Sequence, residues 1–178
     1  MTELAPDPEL LADADEAAVL HSFLEYYRSV FIRKVEGIDE TQARLTLPPS
    51  ELTLLGLVRH MAEVERGWFR RRFADQEAPF LYCGEAADGG DPDGDFHPSA
   101  TDTLADALAV LQVEIEFARS VSAGVAMDTL AAADPPWQRI PGWRPALRWI
   151  LVHMVEEYAR HCGHADLLRQ AVDGATGD

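Results

Sequence analysis

Residues 149–166 read Trp149-Ile150-Leu151-Val152-His153-Met154-Val155-Glu156-Glu157-Tyr158-Ala159-Arg160-His161-Cys162-Gly163-His164-Ala165-Asp166. Ile150, Glu157, His161 and Leu168 are separated by 7, 4 and 7 residues. At about 100° per residue on a helix they project within roughly 40° of one another. The spacing therefore predicts a helix whose apolar face carries a carboxylate and an imidazole. An unpaired buried carboxylate costs several kcal/mol, so Glu157 requires a cation, a hydrogen-bond partner or a raised pKa. A bound metal ion meets that requirement. The helix is expected from about position 145, where a proline is tolerated in the first turn, to about 172, with Gly174 just beyond it.

Working back towards the N-terminus, Val19, Phe23, Tyr26, Tyr27, Val30 and Phe31 recur at three- and four-residue intervals, which predicts a first helix over 16–35. Pro48-Pro49 breaks the pattern. Ser50 is then the expected N-cap of a second helix, whose stripe Leu54, Leu57, Met61, Val64, Trp68 is spaced 3, 4, 3 and 4 and ends near Ala74. Residues 78–100 are rich in Gly, Pro and acidic side chains and read as a long surface loop, a common border for a site. Thr101 or Asp102 is the expected cap of a third helix with the stripe Leu104, Leu108, Leu111, Ile115. Pro135-Pro136 and Pro141-Gly142 interrupt the chain before the last helix. Four helices without alternating strand patterns predict an all-α four-helix bundle, with the acidic loop between the second and third helices. A single domain over 1–178, with 1–15 as a loose leader, is the expected organisation.

The 178 residues include 15 Lys and Arg against 31 Asp and Glu, a formal net charge of −16. That charge repels nucleic acid and anionic membrane surfaces. No basic start with an apolar stretch and no long apolar run is present, so a cytoplasmic location is expected. Two cysteines, Cys83 and Cys162, cannot build a disulfide framework or a four-cysteine zinc site. Lys34 is the one lysine among fourteen arginines, as GC-rich codon usage would give.

Glu157 and His161 are i and i+4, with β-carbons about 6 Å apart on a helix, so both can reach one ion. His60, three residues after Leu57 and four before Val64, is the natural third ligand. Three nitrogen or oxygen ligands with one position open make a catalytic rather than a structural zinc site. A single histidine beside an apolar stripe is more often packed or exposed than a ligand. The conjunction of all three residues is what points to a metal. His164 is expected to line the pocket, act as acid or base, or sit as a polar rim residue, while His153 reads as a core or supporting residue. His21 and His97 have no expected role. Asp91-x-Asp93-x-Asp95 begins like a calcium loop, but Phe96 replaces the glycine such a loop needs, and the run reads as solvated. Cys162 points about 100° away from His161 and reads as packed. Trp68, Trp137, Trp143 and Trp149 read as core and loop anchors, one of which can wall a pocket. No phosphate-binding glycine loop or G-x-S-x-G motif occurs.

The segment quoted above, together with Leu54-Leu55-Gly56-Leu57-Val58-Arg59-His60-Met61-Ala62-Glu63-Val64-Glu65-Arg66-Gly67-Trp68, resembles the DinB-like four-helix superfamily. Within it the chain is similar to the actinobacterial branch of mycothiol-dependent S-transferases and mycothiol-dependent maleylpyruvate isomerase. The resemblance spans nearly the whole chain and implies a divalent metal held by His60, Glu157 and His161. Many members carry histidine at the position of Glu157 and glutamine at that of His164; the isomerase resembles this chain in using glutamate. Zinc is the expected ion, with nickel or another divalent metal as alternatives.

The implied chemistry is activation of a low-molecular-weight thiol, mycothiol, for attack on a small electrophile. A divalent ion with one carboxylate and two neutral imidazoles carries net charge +1, which favours a thiolate over a thiol. His164 and Arg160 are the expected catalytic pocket residues. Two other readings use the same residues: a non-catalytic, stress-linked metal-binding protein, and a metal-dependent hydrolase. A homodimer through the helices is compatible with each.

Overall fold

In a computed structural model, which describes residues 3–84, 89–133 and 142–177, the chain is an all-α bundle with four long helices and no strand among the described residues. Helix α1 spans Glu16–Val35, and the Asp15 carboxylate caps it by accepting from the Ala18 amide at 2.8 Å. Helix α2 spans Leu54–Glu65 and runs on through a π-helical stretch, Arg66–Phe73. Helix α3 is Leu104–Ser122 and α4 is Leu147–Asp173. A single helical turn, Glu40–Ala43, lies between α1 and α2. The breaks expected at Pro135, Pro136 and Pro141, and the expected anchor Trp137, fall outside the described residues.

Three predicted ends move. Thr53, not Ser50, caps α2, accepting from Gly56 N at 3.0 Å, while the Ser50 hydroxyl accepts from Leu52 N in a local turn. Thr103, not Thr101 or Asp102, caps α3, and Asp102 pairs instead with Arg59 at 2.5 Å. Pro145 stays outside α4, where its carbonyl accepts from the Ala131 amide at 2.8 Å. In both helices the cap is the residue directly before a buried leucine, Leu54 or Leu104. Burial of that leucine sets where the helix begins. At the far end of α4, Gly174 adopts φ 77°, the left-handed geometry that glycine tolerates best.

Helix α1 packs chiefly on α4 and α2 on α3, while α2 and α4 join the two pairs. Phe31, Leu55, Leu57, Met61, Phe69, Leu111, Ile150, Leu151 and Met154 fill the centre. Within that core sits a carboxylate with 0% exposure, Glu65. It takes a forked pair of bonds from Arg28 of α1, Nε at 2.8 Å and Nη2 at 2.7 Å, and one from the Tyr158 hydroxyl of α4 at 2.8 Å. Burial opposes ionisation of both partners: the guanidinium is held charged by Glu65, and the buried phenol is pushed well above its ordinary value. Arg28 also reaches Glu25, which pairs with Arg119 of α3, so the network touches all four helices. No described helix is long and apolar enough to cross a membrane.

Removing one member of a buried ionic network strands the other charge. Glu65→Ala is expected to lower unfolding free energy by about 3–5 kcal/mol, with Glu65→Gln losing less. Urea unfolding of the two variants and the wild type measures it. A loss for Glu65→Ala no greater than for an exposed substitution would show that the network carries no stability.

Candidate metal centre

Glu157 and His161 lie one turn apart on α4, and His60 faces them from α2. The three offer ligand atoms within 4.8 Å of one another. His161 Nε2 is 3.4 Å and His60 Nε2 is 3.9 Å from the same oxygen, Glu157 Oε2. The edge of a tetrahedron with zinc bonds of about 2.0 Å is about 3.3 Å, so these spacings match ligands around one ion with little adjustment. The side chains are secluded, with 18%, 13% and 7% exposure for His60, Glu157 and His161. Two imidazoles and one carboxylate are a donor set suited to a borderline divalent ion.

Electrostatics agrees with the geometry. The flanking imidazoles, His161 first and then His60, hold the Glu157 carboxyl far below its usual range despite partial burial. Burial alone would lower the His60 imidazole, but Asp95 and Glu157 outweigh it and raise the pKa. A divalent ion would take a lone pair from each of the three groups at once.

Each of the three has a further partner. His60 Nδ1 lies 2.8 Å from Asp95 Oδ2. His161 Nδ1 lies 3.3 Å from His164 Nδ1. The other oxygen of Glu157 is 3.5 Å from His153 Nε2. Burial lowers the pKa of both His153 and His164, which favours their neutral forms. His153 is held between two indoles, stacked on Trp149 at 5.3 Å and edge-on to Trp68 at 4.8 Å. Its Nδ1 faces Glu156 at 3.6 Å, and His153, Glu156 and Glu157 also offer ligand atoms within 4.8 Å of one another, a second candidate group that shares Glu157 with the first. Arg160 is exposed and bonded to Glu156, with Nη1 4.0 Å from Glu157 Oε2.

The acidic loop differs from its expected solvated character. Asp95 is 5% exposed, and Phe96 stacks on His60 with centroids 4.4 Å apart and planes at 22°. Glycine at position 56 admits this approach: a β-carbon there would sit 3.1 Å from the Phe96 carbonyl oxygen. Asp91, by contrast, pairs with exposed His97 at 2.6 Å. Cys83 lies against Asp95, and burial first, then the negative charge of Asp95 and Glu63, pushes its thiol up to about 12. Cys162 packs against the core, with its sulfur 3.7 Å from the Tyr27 carbonyl oxygen. Neither Asp95 nor Phe96 has a periodic signal in sequence. The one clue is that Phe96 breaks the calcium-loop pattern at the position where an apolar ring now packs.

No curated protein matches the chain. A family model described as Mycothiol-S-transferase matches residues 19–174, from the second turn of α1 to the cap of α4, and so takes in His60, Glu157 and His161. With the helical bundle and the match extending over most of its length, the chain belongs to the mycothiol-S-transferase family.

Proposed function

We propose that the protein is a divalent-cation-dependent mycothiol S-transferase, with His60, Glu157 and His161 as the ligands of one ion, zinc being the best fit to the donor set. The observation that supports it best is the approach of two imidazole Nε2 atoms to a single carboxylate oxygen, at 3.4 and 3.9 Å. When bound, such a cation supplies a Lewis acid with one free position, which favours the thiolate form of an incoming thiol at neutral pH. The protein's own residues create the conditions for it. Seclusion of the three side chains from water would strengthen their electrostatic interaction with a cation. With neutral imidazoles and an ionised carboxylate, a divalent ion held here would leave net charge +1, which would favour an anion such as a thiolate. With the thiol's proton released to solvent, the thiolate sulfur would form a bond to the electrophilic carbon while the leaving group departs with the bonding electron pair.

In this reading His164, expected as a pocket-lining, acid/base or rim residue, and Arg160, expected as a pocket residue, take the following parts. For His161 to offer Nε2, its Nδ1 must carry the proton, which His164 Nδ1 then accepts. His164 thereby holds His161 in position, and its accepting nitrogen is already used. Arg160 stays at the rim beside Glu156.

Mycothiol and 1-chloro-2,4-dinitrobenzene, followed by absorbance of the dinitrophenyl thioether, test the activity. His60→Ala and Glu157→Gln are expected to reduce the zinc-dependent kcat/KM by roughly a hundredfold or more. Equal rates with and without zinc across several electrophiles would refute the proposal. Cation binding also has a predicted pH dependence. A raised His60 pKa means that a proton must be displaced at any pH below it, and none well above it. Zinc affinity should therefore be constant on the alkaline side and fall by about tenfold per pH unit per displaced proton as pH drops through that pKa. Glu157, held low, adds nothing until strongly acidic pH. Competition titrations against a chromophoric chelator measure this, and a flat affinity over about pH 6 to 8 would contradict the assignment of His60.

A further inference from the structure

We propose that Asp95 is the positioning residue for His60: its carboxylate accepts the Nδ1 proton and so leaves the Nε2 lone pair directed at Glu157 and His161. The proposal rests on the metal-centre reading above. A neutral imidazole has one donor nitrogen and one acceptor nitrogen, and the partner of one decides the role of the other. Asp95 Oδ2 is 2.8 Å from Nδ1, within ordinary hydrogen-bond range. The carboxylate is itself buried, and its other oxygen accepts from the Phe96 amide at 3.1 Å.

What makes this a built arrangement is the way α2 holds the loop. Gly56, Arg59, His60 and Glu63 are spaced i, i+3, i+4 and i+7, one face of the helix. Each meets the 80–96 chain. Gly56 admits the Phe96 backbone. Arg59 donates from Nη2 to the Gly94 carbonyl at 2.8 Å and from Nη1 to Asp102 at 2.5 Å, and its guanidinium lies 4.3 Å from the Tyr82 ring centroid. Glu63 accepts from the amides of Leu81 at 2.7 Å and Tyr82 at 3.0 Å. Gly94 lies so close to the Tyr82 carbonyl oxygen that any β-carbon would collide with it. The loop is thus anchored on both sides of Asp95, and the Phe96 ring, stacked on His60, limits rotation of the imidazole. Two of the three ligands come from α4, one turn apart. The third crosses from α2, and this loop fixes its aim.

The test is the nitrogen-15 spectrum of the histidine rings in metal-free protein at about pH 9, where imidazoles are neutral, with His60 assigned by comparison with His60→Ala. Wild type is expected to carry the His60 proton on Nδ1. In Asp95→Ala the proton should redistribute towards Nε2, and the zinc dissociation constant should rise about 10- to 100-fold, with helical circular dichroism unchanged. Asp95→Asn, whose carbonyl can accept the same bond, should restore the Nδ1 form and most of the affinity. A wild-type protein with the proton on Nε2 overturns the proposal whether or not the alanine variant folds. So does an alanine variant with unchanged tautomer and affinity. If wild type binds no zinc while Asp95→Ala still shifts the tautomer, Asp95 keeps its positioning role and the metal reading fails. Zinc bound equally by wild type and Asp95→Ala, with the tautomer also unchanged, leaves the reading intact and removes the proposal.

Discussion

Glu65 is the buried charge on which helix register depends. Its two oxygens take three hydrogen bonds from Arg28 and Tyr158, so α1, α2 and α4 meet at one carboxylate. Tyr158 is the residue after Glu157, and Glu65 lies five after His60. A slip of α4 along α2 would therefore break the Tyr158 bond and part the imidazole of His60 from Glu157 in the same movement. Buried ion pairs add little net stability relative to apolar packing, but they penalise every alternative register in which a charge is left alone. Apolar packing between α2 and α4 does not discriminate so sharply, because leucine and methionine tolerate small shifts.

From that fixed register the centre is assembled in two layers. The inner layer is His60, Glu157 and His161. Around it Asp95, His153 and His164 each take up the free nitrogen or oxygen of one inner residue. Such outer partners orient the side chains they meet and set which atom is available. The chain is strongly acidic overall, a field that attracts cations and repels anions. The π-helical stretch after α2 adds a residue to the turn and carries Trp68, whose ring meets His153. Such widened turns recur at functional sites.

The long helices were legible because their apolar residues recur every three or four positions; the expected 145–172 and the observed Leu147–Asp173 differ by one or two residues at each end. Helix starts were less legible. Ser50 and Thr53, or Thr101, Asp102 and Thr103, are chemically equivalent caps, and the choice between them rests on a leucine whose burial is a tertiary fact. His60, Glu157 and His161 stood out in sequence as polar groups on or beside apolar faces, and the fold brings them together. Asp95 did not stand out, because it sits in an acidic run where local pattern assigns every carboxylate to solvent. Its burial arises from contacts with α2 made by Gly56, Arg59 and Glu63, far away in the chain. Glu65 was equally hidden, since a helical glutamate gives no sign of an arginine 37 residues earlier and a tyrosine 93 residues later.

X-ray absorption at the zinc edge, on protein loaded with one equivalent of zinc and then mixed with mycothiol, tests the central claim most directly. Nitrogen and oxygen neighbours are expected at about 2.0 Å with the scattering signature of two imidazoles, joined by one sulfur at about 2.3 Å when the thiol is added. A shell of water-like oxygens without imidazole, or a spectrum unchanged by the thiol, would contradict it.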